Sequence, residues 1–584
     1  MFKLLKHAKK YIVPTILSPV LMIGEVVLEL LIPLVMADIV NLVQSGMTED
    51  SMNVILRLGL KMLLYALGSL FCGAMAARMA AVAGMGFGAT LREEIMGKIQ
   101  RFSFSNIDHF STASLITRLT TDVNSVQNTF VMMIRMLFRA PVMFVVALAI
   151  TITKSREVAM PFTVALPLIA IILIIFAPIT LGRFKKMFKM FDAFNASIQE
   201  NLTNVRVVKS FVRSDFEKKK FKKANDDLMN AALHAEKLMI LGMPTFTIIM
   251  YGTILAILYI AAREITQETL LIGDFSAIFT YIMQILIHFL MIVMLIAQFF
   301  MSQASANRIL EVCEEIPDIN DDNATITDVK DGSIEFKNVS FKYNGSQHNV
   351  IDNATFKIES GEMVGIIGAT GSAKTSLVQL IPRLYDVTDG ELLVGGENVK
   401  DYKIFNLRDA VSMVLQKNVL FSGTIAENLR WGNKDATDEE IQEACKIADA
   451  HSFVSSFPNG YNTDLGQGGV NVSGGQKQRL CIARAILKKP KILILDDSTS
   501  AVDTFTDSKI RKGLRECIPE TTKIIIAQRI SSVQDCDKII ILDDGGINDI
   551  GNHEELLARN EIYQDIYNSQ QKGSDDFDVM GGAL

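Results

Sequence analysis

Long blocks of apolar residues fill the first half of the chain, whereas apolar and polar residues alternate over shorter distances after about residue 305. A helix needs about 20 residues to cross a bilayer, and six of the blocks reach this length. They lie near 12–42, 55–84, 128–152, 158–182, 237–262 and 273–302. This pattern predicts a multidomain protein, with an all-α transmembrane bundle of six long helices followed by a soluble α/β domain.

The distribution of lysine and arginine predicts how the helices are oriented, because cytoplasmic loops of membrane proteins are enriched in both residues. Four lysines lie within residues 1–10, and the connection 183–236 is rich in lysine, whereas the connection 43–54 has neither residue. We therefore expect a multi-pass protein of the cell membrane, with its N-terminus and its α/β half in the cytoplasm. The first apolar block is too long for a cleavable signal peptide.

Four ionisable side chains fall inside the predicted spans, where a charge is costly and often functional. Glu25 and Glu29 are four residues apart in the first span, and Arg135 and Arg139 have the same spacing in the third. Each pair therefore lies on one helix face. The four residues either line a polar translocation path or are structural, as ion pairs between helices or side chains that reach the membrane edge, and both alternatives stay open.

The composition excludes other classes of protein. The chain has 584 residues, of which 49% are hydrophobic, so it is longer than one ordinary domain. Its net charge of −6 is small for this length and argues against a nucleic-acid-binding protein. Its six cysteines are scattered without the spacing of a metal site, so we interpret them as free thiols.

A glycine-containing loop supplies the first candidate chemistry. It follows the apolar run 363–367, leads into a predicted helix, and consists of Gly368, Ala369, Thr370, Gly371, Ser372, Ala373, Lys374, Thr375 and Ser376. Backbone N–H groups at such a turn, together with a helix N-terminus, bind phosphate groups. Lys374 would contact the β- and γ-phosphates of a nucleotide, and the Thr375 hydroxyl would bind Mg²⁺.

Further short motifs surround this loop in a definite order. They are Tyr343, Gln416, the run Ser473-Gly474-Gly475-Gln476, Asp496 with Asp497 after one apolar strand, the run 500–503, and Gln528 after another strand. Together they resemble the nucleotide-binding domain of an ATP-binding cassette (ABC) transporter. With six spans before it, the whole chain resembles a half-transporter of the exporter type.

The resemblance implies ATP as the ligand and Mg²⁺ as the cofactor. Tyr343 would stack on adenine, Asp496 would hold Mg²⁺ through water, and Gln416 would sense Mg²⁺ and the γ-phosphate. In this family two ATP domains close around two nucleotides, and the run 473–476, the signature motif, faces the γ-phosphate that a partner subunit holds.

Three positions depart from the family's pattern, which has Glu at position 497, His at 528 and Gly at 373. Aspartate is one methylene shorter than glutamate, so the Asp497 carboxylate is withdrawn by roughly 1.5 Å from the attacking water. Gln528 can hydrogen-bond a phosphate but cannot carry a proton as histidine can. The Ala373 methyl group restricts the backbone. We expect this site to bind ATP and to hydrolyse it slowly.

These departures predict the degenerate-site half of a heterodimeric multidrug exporter. Its partner would be a second ABC half-transporter with Glu and His at the altered positions, and its substrates would be small amphipathic or lipophilic molecules in the lipid bilayer. The alternatives are an ATP-gated or regulatory ABC membrane protein with little turnover, and an exporter of lipid or peptide. The six spans exclude a soluble ABC ATPase.

The predicted layout is a transmembrane domain over 1–312, a linker over 313–332, the ABC domain over 333–570 and a disordered tail over 571–584. The cytosolic stretches 104–119 and 204–211 resemble the two coupling segments of exporter-type ABC transporters.

Overall fold

The computed structural model describes residues 1–46, 50–497 and 502–581 of the chain. They form two compact units. The helical unit consists of Met1–Gly97 and Leu115–Glu314, and the α/β unit consists of Lys98–Ser114 and the residues from Glu315 onward. The segment 98–114 therefore lies between two parts of the helical unit in sequence, but its contacts place it in the α/β unit.

The first 314 residues are helical almost throughout. A 3-10 helix, Phe2–Tyr11, comes first, and the α-helices are α1 (Ile12–Gln44), α2 (Ser51–Ile99), α3 (Phe104–Phe110), α4 (Thr112–Thr117), α5 (Val123–Lys154), α6 (Arg156–Thr203), α7 (Val205–Ser210), α8 (Ser214–Thr266) and α9 (Ile272–Glu314). A π-helical turn, Arg118–Asp122, joins α4 to α5.

Six of these helices are long, and each predicted span lies inside one of them. By length and composition, five helical segments of the described chain can cross a membrane, and the apolar part described for α9, Ile272–Ile285, is shorter. The helices extend beyond the spans, as α2 does by fifteen residues from position 84 to Ile99. The predicted architecture of a helical transmembrane domain followed by an α/β domain is confirmed.

The core of the helical unit lies where α1, α5 and α9 pack together. Val26 and Leu30 of α1, Met143 of α5 and Ile282 of α9 are all buried there. The buried Tyr281 hydroxyl donates a hydrogen bond to the Leu30 carbonyl oxygen over 2.5 Å. A buried phenol needs such a partner, and this bond ties α9 to α1.

Charged side chains of the predicted spans form ion pairs between helices. The Arg139 guanidinium of α5 lies 2.5 Å from Glu25 Oε1 and 2.8 Å from Glu29 Oε2, both on α1. Its Nε also donates towards His288 Nε2 of α9 at 3.4 Å. These contacts favour the structural alternative for Glu25, Glu29 and Arg139, whereas Arg135 has no ion pair with the residues that the structure describes.

The α/β unit contains twelve described strands. They are β1 (Ile334–Phe341), β2 (Ile351–Ile358), β3 (Met363–Gly368), β4 (Asp389–Val394), β5 (Glu397–Asn398), β6 (Val411–Val414), β7 (Gly423–Thr424), β8 (Asp464–Leu465), β9 (Ile492–Asp496), β10 (Thr522–Ile526), β11 (Lys538–Asp543) and β12 (Gly546–Gly551). One sheet has the order β2-β1-β4-β5 and is antiparallel; the other has the order β12-β11-β3-β10-β9-β6 and is parallel except for β12. β7 pairs with β8.

Helices connect these strands, as alternating apolar strands and polar helical stretches require. They are α10 (Lys374–Leu380), α11 (Ile404–Ala410), α12 (Ile425–Leu429), α13 (Asp438–Ile447), α14 (His451–Ser456), α15 (Gly474–Leu487), α16 (Thr504–Cys517), α17 (His553–Arg559) and α18 (Glu561–Gly581). Tyr563 is buried and anchors α18 to the core. This helix is described as far as Gly581.

Candidate nucleotide-binding site

Three neighbouring parallel strands bring the predicted motifs to one edge of the larger sheet. β10 lies between β3 and β9, and Ile526 of β10 is aligned with Ile366 of β3 and with Asp496 of β9. Ligands of open α/β sheets bind in the crevice at the carboxyl ends of such strands. The residues that follow these three strands therefore share one site.

The loop after β3 is shaped by its glycines. Gly371 has a φ of +91°, and a Cβ atom at Gly368 would lie 2.2 Å from the Leu542 carbonyl oxygen. The Lys374 ammonium lies over the loop and donates to the carbonyl oxygens of Gly368 and Ala369, both at 2.8 Å. Burial lowers the pKa of Lys374. The loop thus forms a compact turn with a cation at its centre, which suits a phosphate group.

Ala373 has a left-handed backbone conformation directly before α10, with φ +68° and ψ +18°. A Cβ atom in this region approaches the following carbonyl oxygen, which costs roughly 1–2 kcal/mol. Glycine would adopt the same conformation without that cost. The restriction that the sequence predicted at this position is therefore present in the structure as local backbone strain.

Asp496, at the end of β9, provides a carboxylate beside the phosphate loop. It is buried, and its Oδ1 accepts a hydrogen bond from the Thr375 hydroxyl at 3.0 Å. Its Oδ2 is buried without a hydrogen-bond partner among the described residues. Burial raises the pKa of Asp496. A hydroxyl beside a buried carboxylate with one unsatisfied oxygen fits Mg²⁺, which prefers oxygen ligands and keeps several waters.

The neighbouring Asp497 carboxylate is held by two glutamine amides. Gln528 Nε2 donates to Asp497 Oδ2 at 2.8 Å, and Gln416 Nε2 donates to the same oxygen at 3.4 Å. The Asp497 side chain is therefore directed to β10 and to the loop after β6.

Tyr343 lies in a cluster of aromatic rings at the edge of the site. Its hydroxyl is 2.8 Å from Ser376 Oγ of α10. Its ring packs edge-on against Tyr385, with 5.2 Å between the centroids, and against Phe341 at 4.9 Å. The position next to α10 is suitable for an adenine platform.

The same cluster contacts the segment 98–114. The Tyr385 hydroxyl donates to Asp108 Oδ2 at 2.8 Å, and Asn344 Nδ2 donates to Ser105 Oγ at 2.5 Å. Burial and then the Asp108 carboxylate raise the pKa of Tyr385. A cavity of about 460 Å³ lies between Tyr343 and α3 and is lined by both sides of this contact.

The signature run begins a helix elsewhere in the α/β unit. Ser473 is the N-cap of α15, its Oγ accepts from the Gln476 N–H, and the Gln476 side chain accepts from the Ser473 N–H at 2.9 Å. This capping box orders the helix N-terminus, where Gly474 and Gly475 form the first turn. In the described residues, no hydrogen bond joins this run to the phosphate loop.

The structure therefore brings together Thr375 with Asp496, Tyr343 with Ser376, and Gln416 with Asp497 and Gln528. It separates the signature run from them, and positions 500 and 501 of the run 500–503 lie outside the described residues. Sequence reasoning missed Tyr385. Its only signal is its place seventeen positions after Gly368, in a stretch where no motif marks it.

Comparison with known families agrees with this geometry. Residues 15–302 match the family model of the ABC transporter transmembrane region, and residues 351–500 match the family model described as ABC transporter. A relative of Bacillus subtilis, the uncharacterized ABC transporter ATP-binding protein YfiB, is 36% identical over 98% of both chains. The chain belongs to the ABC transporter family. It is an exporter-type half-transporter with fused membrane and ATP-binding domains.

Two further relatives carry names that differ in their cargo. The putative multidrug export protein YgaD of B. subtilis is 32% identical over 82% of this chain and 83% of its own length. The ATP-dependent lipid A-core flippase of Haemophilus influenzae is 30% identical over 83% of both. A bacterial Atm1-family ABC exporter solved with ATP bound has the same fold, with a TM-score of 0.80 at 23% identity over 96% of this half-transporter and 98% of that chain.

Proposed function

We propose that this half-transporter uses ATP to export small amphipathic or lipophilic molecules across the cytoplasmic membrane, as the degenerate-site subunit of a heterodimer. The proposal rests on one observation above all, the two amides that hold the Asp497 carboxylate. The relative named for multidrug export supports the substrate class.

Nucleotide binding is assigned to the groups that the site retains. Tyr343 would stack on adenine, Lys374 would move from its loop carbonyls to the phosphates, and the loop N–H groups would hold them. Thr375, Asp496 and Gln416 would hold Mg²⁺, which neutralises phosphate charge when it is bound. Each of these side chains lies at the edge of the sheet where the strands end.

Slow hydrolysis follows from the altered positions. A general base must reach the attacking water within hydrogen-bond distance. Asp497 is short, and its Oδ2 already accepts from Gln528 at 2.8 Å, so it is drawn along β10 rather than towards a water at the γ-phosphate. Loss of a positioned base typically lowers a rate by about 100- to 10,000-fold. Because the Gln528 amide cannot take up a proton near neutral pH, it cannot replace the base.

A second half-transporter completes the assembly in this proposal. Among the described residues, no hydrogen bond joins the signature run of α15 to the phosphate loop of the same chain, so we assign the run to a partner's site. The second coupling-like stretch also ends in exposed apolar side chains, since Phe211 is 73% and Val212 is 86% exposed. A partner chain that covers both regions would also supply the competent Glu and His. In this proposal, ATP hydrolysis and transport are coupled through these two regions.

The first coupling-like segment is assigned to signalling within one chain. Asp108 of α3 accepts from Tyr385, whose ring packs on Tyr343. A nucleotide bound at Tyr343 would therefore shift the hydrogen bond between Tyr385 and Asp108 of α3. In sequence, α3 lies between α2 and α5, which both contain predicted spans. Tyr385 is a positioning residue in this scheme.

The weak base also supports a second candidate, an ATP-gated or regulatory membrane protein with little turnover. The relative named as a lipid A-core flippase supports a third, export of lipid. Both differ from the first proposal in measurable ways, since a gated protein would move solute without matching hydrolysis and a lipid exporter would be stimulated by lipid alone.

The test is ATP hydrolysis by the purified chain, alone and co-purified with a second half-transporter that carries Glu and His. We expect very slow turnover alone, and turnover stimulated by a lipophilic cationic dye in the complex. Nucleotide occupancy should be measured for each subunit during turnover, and this chain's site should retain its nucleotide over several cycles. Rapid, dye-coupled turnover by this chain alone would contradict the heterodimer, and equal exchange at both sites would contradict retention.

A further inference from the structure

An apolar pocket lies where the 3-10 helix Phe2–Tyr11 packs against α1, α5 and α9. It has a volume of about 350 Å³. Its walls include Leu5 and Ala8 of the 3-10 helix, Leu137 and Phe138 of α5, and Phe299 of α9. Such a wall offers no group to bind water, so the pocket suits an apolar ligand.

Only two of the side chains that line the pocket are polar, Thr15 and Lys9. The Thr15 hydroxyl already donates to the Tyr11 carbonyl oxygen at 2.8 Å. Lys9 is exposed and has no ion pair with any residue that the structure describes. The Met1 ammonium, also at the pocket, donates to Gln303 Oε1 at 3.4 Å. The pocket therefore combines an apolar interior with a lysine at its edge that has no ion pair among the described residues.

The 3-10 helix that carries Lys9 is amphipathic. Leu4 and Ala8 are buried against the helical unit, whereas its four lysines are exposed, and of these Lys3 pairs with Glu314. Helices with this arrangement lie at the boundary between lipid headgroups and acyl chains. Ile12, the first residue of α1, lines the pocket. The pocket therefore lies at the level where the first apolar span begins.

We propose that this pocket binds one acyl chain of an anionic phospholipid from the surrounding bilayer, with the lipid phosphate beside Lys9. The apolar wall selects an acyl chain, because each buried methylene adds to binding, and the lysine selects an anionic headgroup over a zwitterionic one. The lipid would be a resident component that holds the 3-10 helix to α5 and α9.

The experiment is lipid binding to the purified full-length chain in detergent, measured by native mass spectrometry without nucleotide. The probes are phosphatidylglycerol and phosphatidylcholine with identical acyl chains. We expect one phosphatidylglycerol to be retained with higher affinity than phosphatidylcholine. Lys9→Gln should lower the affinity for phosphatidylglycerol about fivefold, as expected for one lysine near an anionic lipid.

Lys10→Gln is the matched control, because it removes the same charge from the next residue, which does not line the pocket. It should leave the affinity unchanged. Leu137→Trp should fill the pocket and displace both lipids, and its folding is checked by thermal unfolding. Equal binding of the two lipids, or equal effects of Lys9→Gln and Lys10→Gln, would overturn the proposal. Release of the lipid during ATP turnover in the complex would identify it as cargo and would also overturn it.

Discussion

Two regions of the α/β unit, the N-terminus of α15 and the adjoining ends of β9 and β10, differ in how closely their residues keep the family's pattern. The N-terminus of α15 has the intact signature run, with Ser473 and Gln476 in a reciprocal capping box. The ends of β9 and β10 have the altered pair, Asp497 and Gln528, joined to each other over 2.8 Å. In the proposed heterodimer both regions would face a γ-phosphate, but the two phosphates would belong to different nucleotides.

The difference indicates which function each region must perform. A signature run that completes a partner's site must keep its donors, whereas a site that only holds ATP needs its binding groups and not its base. The retention of Lys374, Thr375 and Asp496 beside the altered pair fits this division. We expect substitutions at four positions or pairs to test this division, and their expected effects decrease from the signature run to Ala373.

The largest effect is expected at the signature. In the complex with its partner, Ser473→Ala should lower ATP turnover about a hundredfold, as does loss of one donor to a transition state. Thr437→Ala is the control, because Thr437 begins α13 with an equivalent capping box and lies outside the site. Asp497→Asn should change turnover little. Similar losses from Ser473→Ala and Asp497→Asn in a steady-state ATPase assay would refute the assignment of sites.

Restoration of the altered pair should have the next largest effect. Asp497→Glu with Gln528→His should raise hydrolysis at this chain's site by about 10- to 100-fold, because a positioned base contributes at least this much. Single-turnover assays of trapped nucleotide would measure it, with residence time falling in parallel. Gln528→His alone is the control, since it frees the carboxylate but leaves it short. No change in the double variant would mean that other residues make the site slow.

A smaller effect is expected for Tyr385, whose contact with Asp108 we assign to the coupling of ATP hydrolysis to transport. Tyr385→Phe removes the hydrogen bond to Asp108 and keeps the ring against Tyr343. Stimulation of ATPase by a lipophilic dye should weaken about fivefold, the effect of one hydrogen bond at a partly exposed position. Tyr402→Phe is the control, since its hydroxyl donates to the Val394 carbonyl oxygen and not to the segment 98–114. Equal stimulation in Tyr385→Phe and the wild type would exclude this contact from coupling.

The smallest effect is expected at Ala373. Ala373→Gly removes the strain of a left-handed alanine, so the free energy of unfolding of the α/β unit should rise by about 1 kcal/mol and ATP should bind slightly more tightly. Chemical unfolding measures the free energy of unfolding, and titration with a fluorescent nucleotide measures the affinity. Ala369→Gly, in the same loop but without a positive φ, should not stabilise. A destabilised Ala373→Gly variant would show that the methyl group makes a favourable contact.

The sequence predicted the long helices and the strand ends because each depends on local pattern. Apolar blocks of known length specify spans, and motifs such as Gly371 and Lys374 specify a turn with a required backbone. Ala373 was predicted to restrict the loop for the same local reason. These features need no knowledge of distant residues.

Contacts between distant residues were not predictable in this way. Asp108 and Tyr385 are 277 residues apart, and no pattern near either one indicates the other. The bond from Gln528 to Asp497 depends on β9 and β10 being neighbours in register, which the motifs alone do not specify. The charged residues of the spans were left with two alternatives for this reason, and their contacts favour one.

The ion pairs of Arg139 have a consequence for the synthesis of the protein. Glu25 and Glu29 are made 114 and 110 residues before the arginine that pairs with them. An acidic residue in the middle of a single span costs about 3 kcal/mol at insertion. The first helix therefore carries both carboxylates without their arginine partner until the third span has been made, and the ion pairs reduce the cost of these charges only from that point.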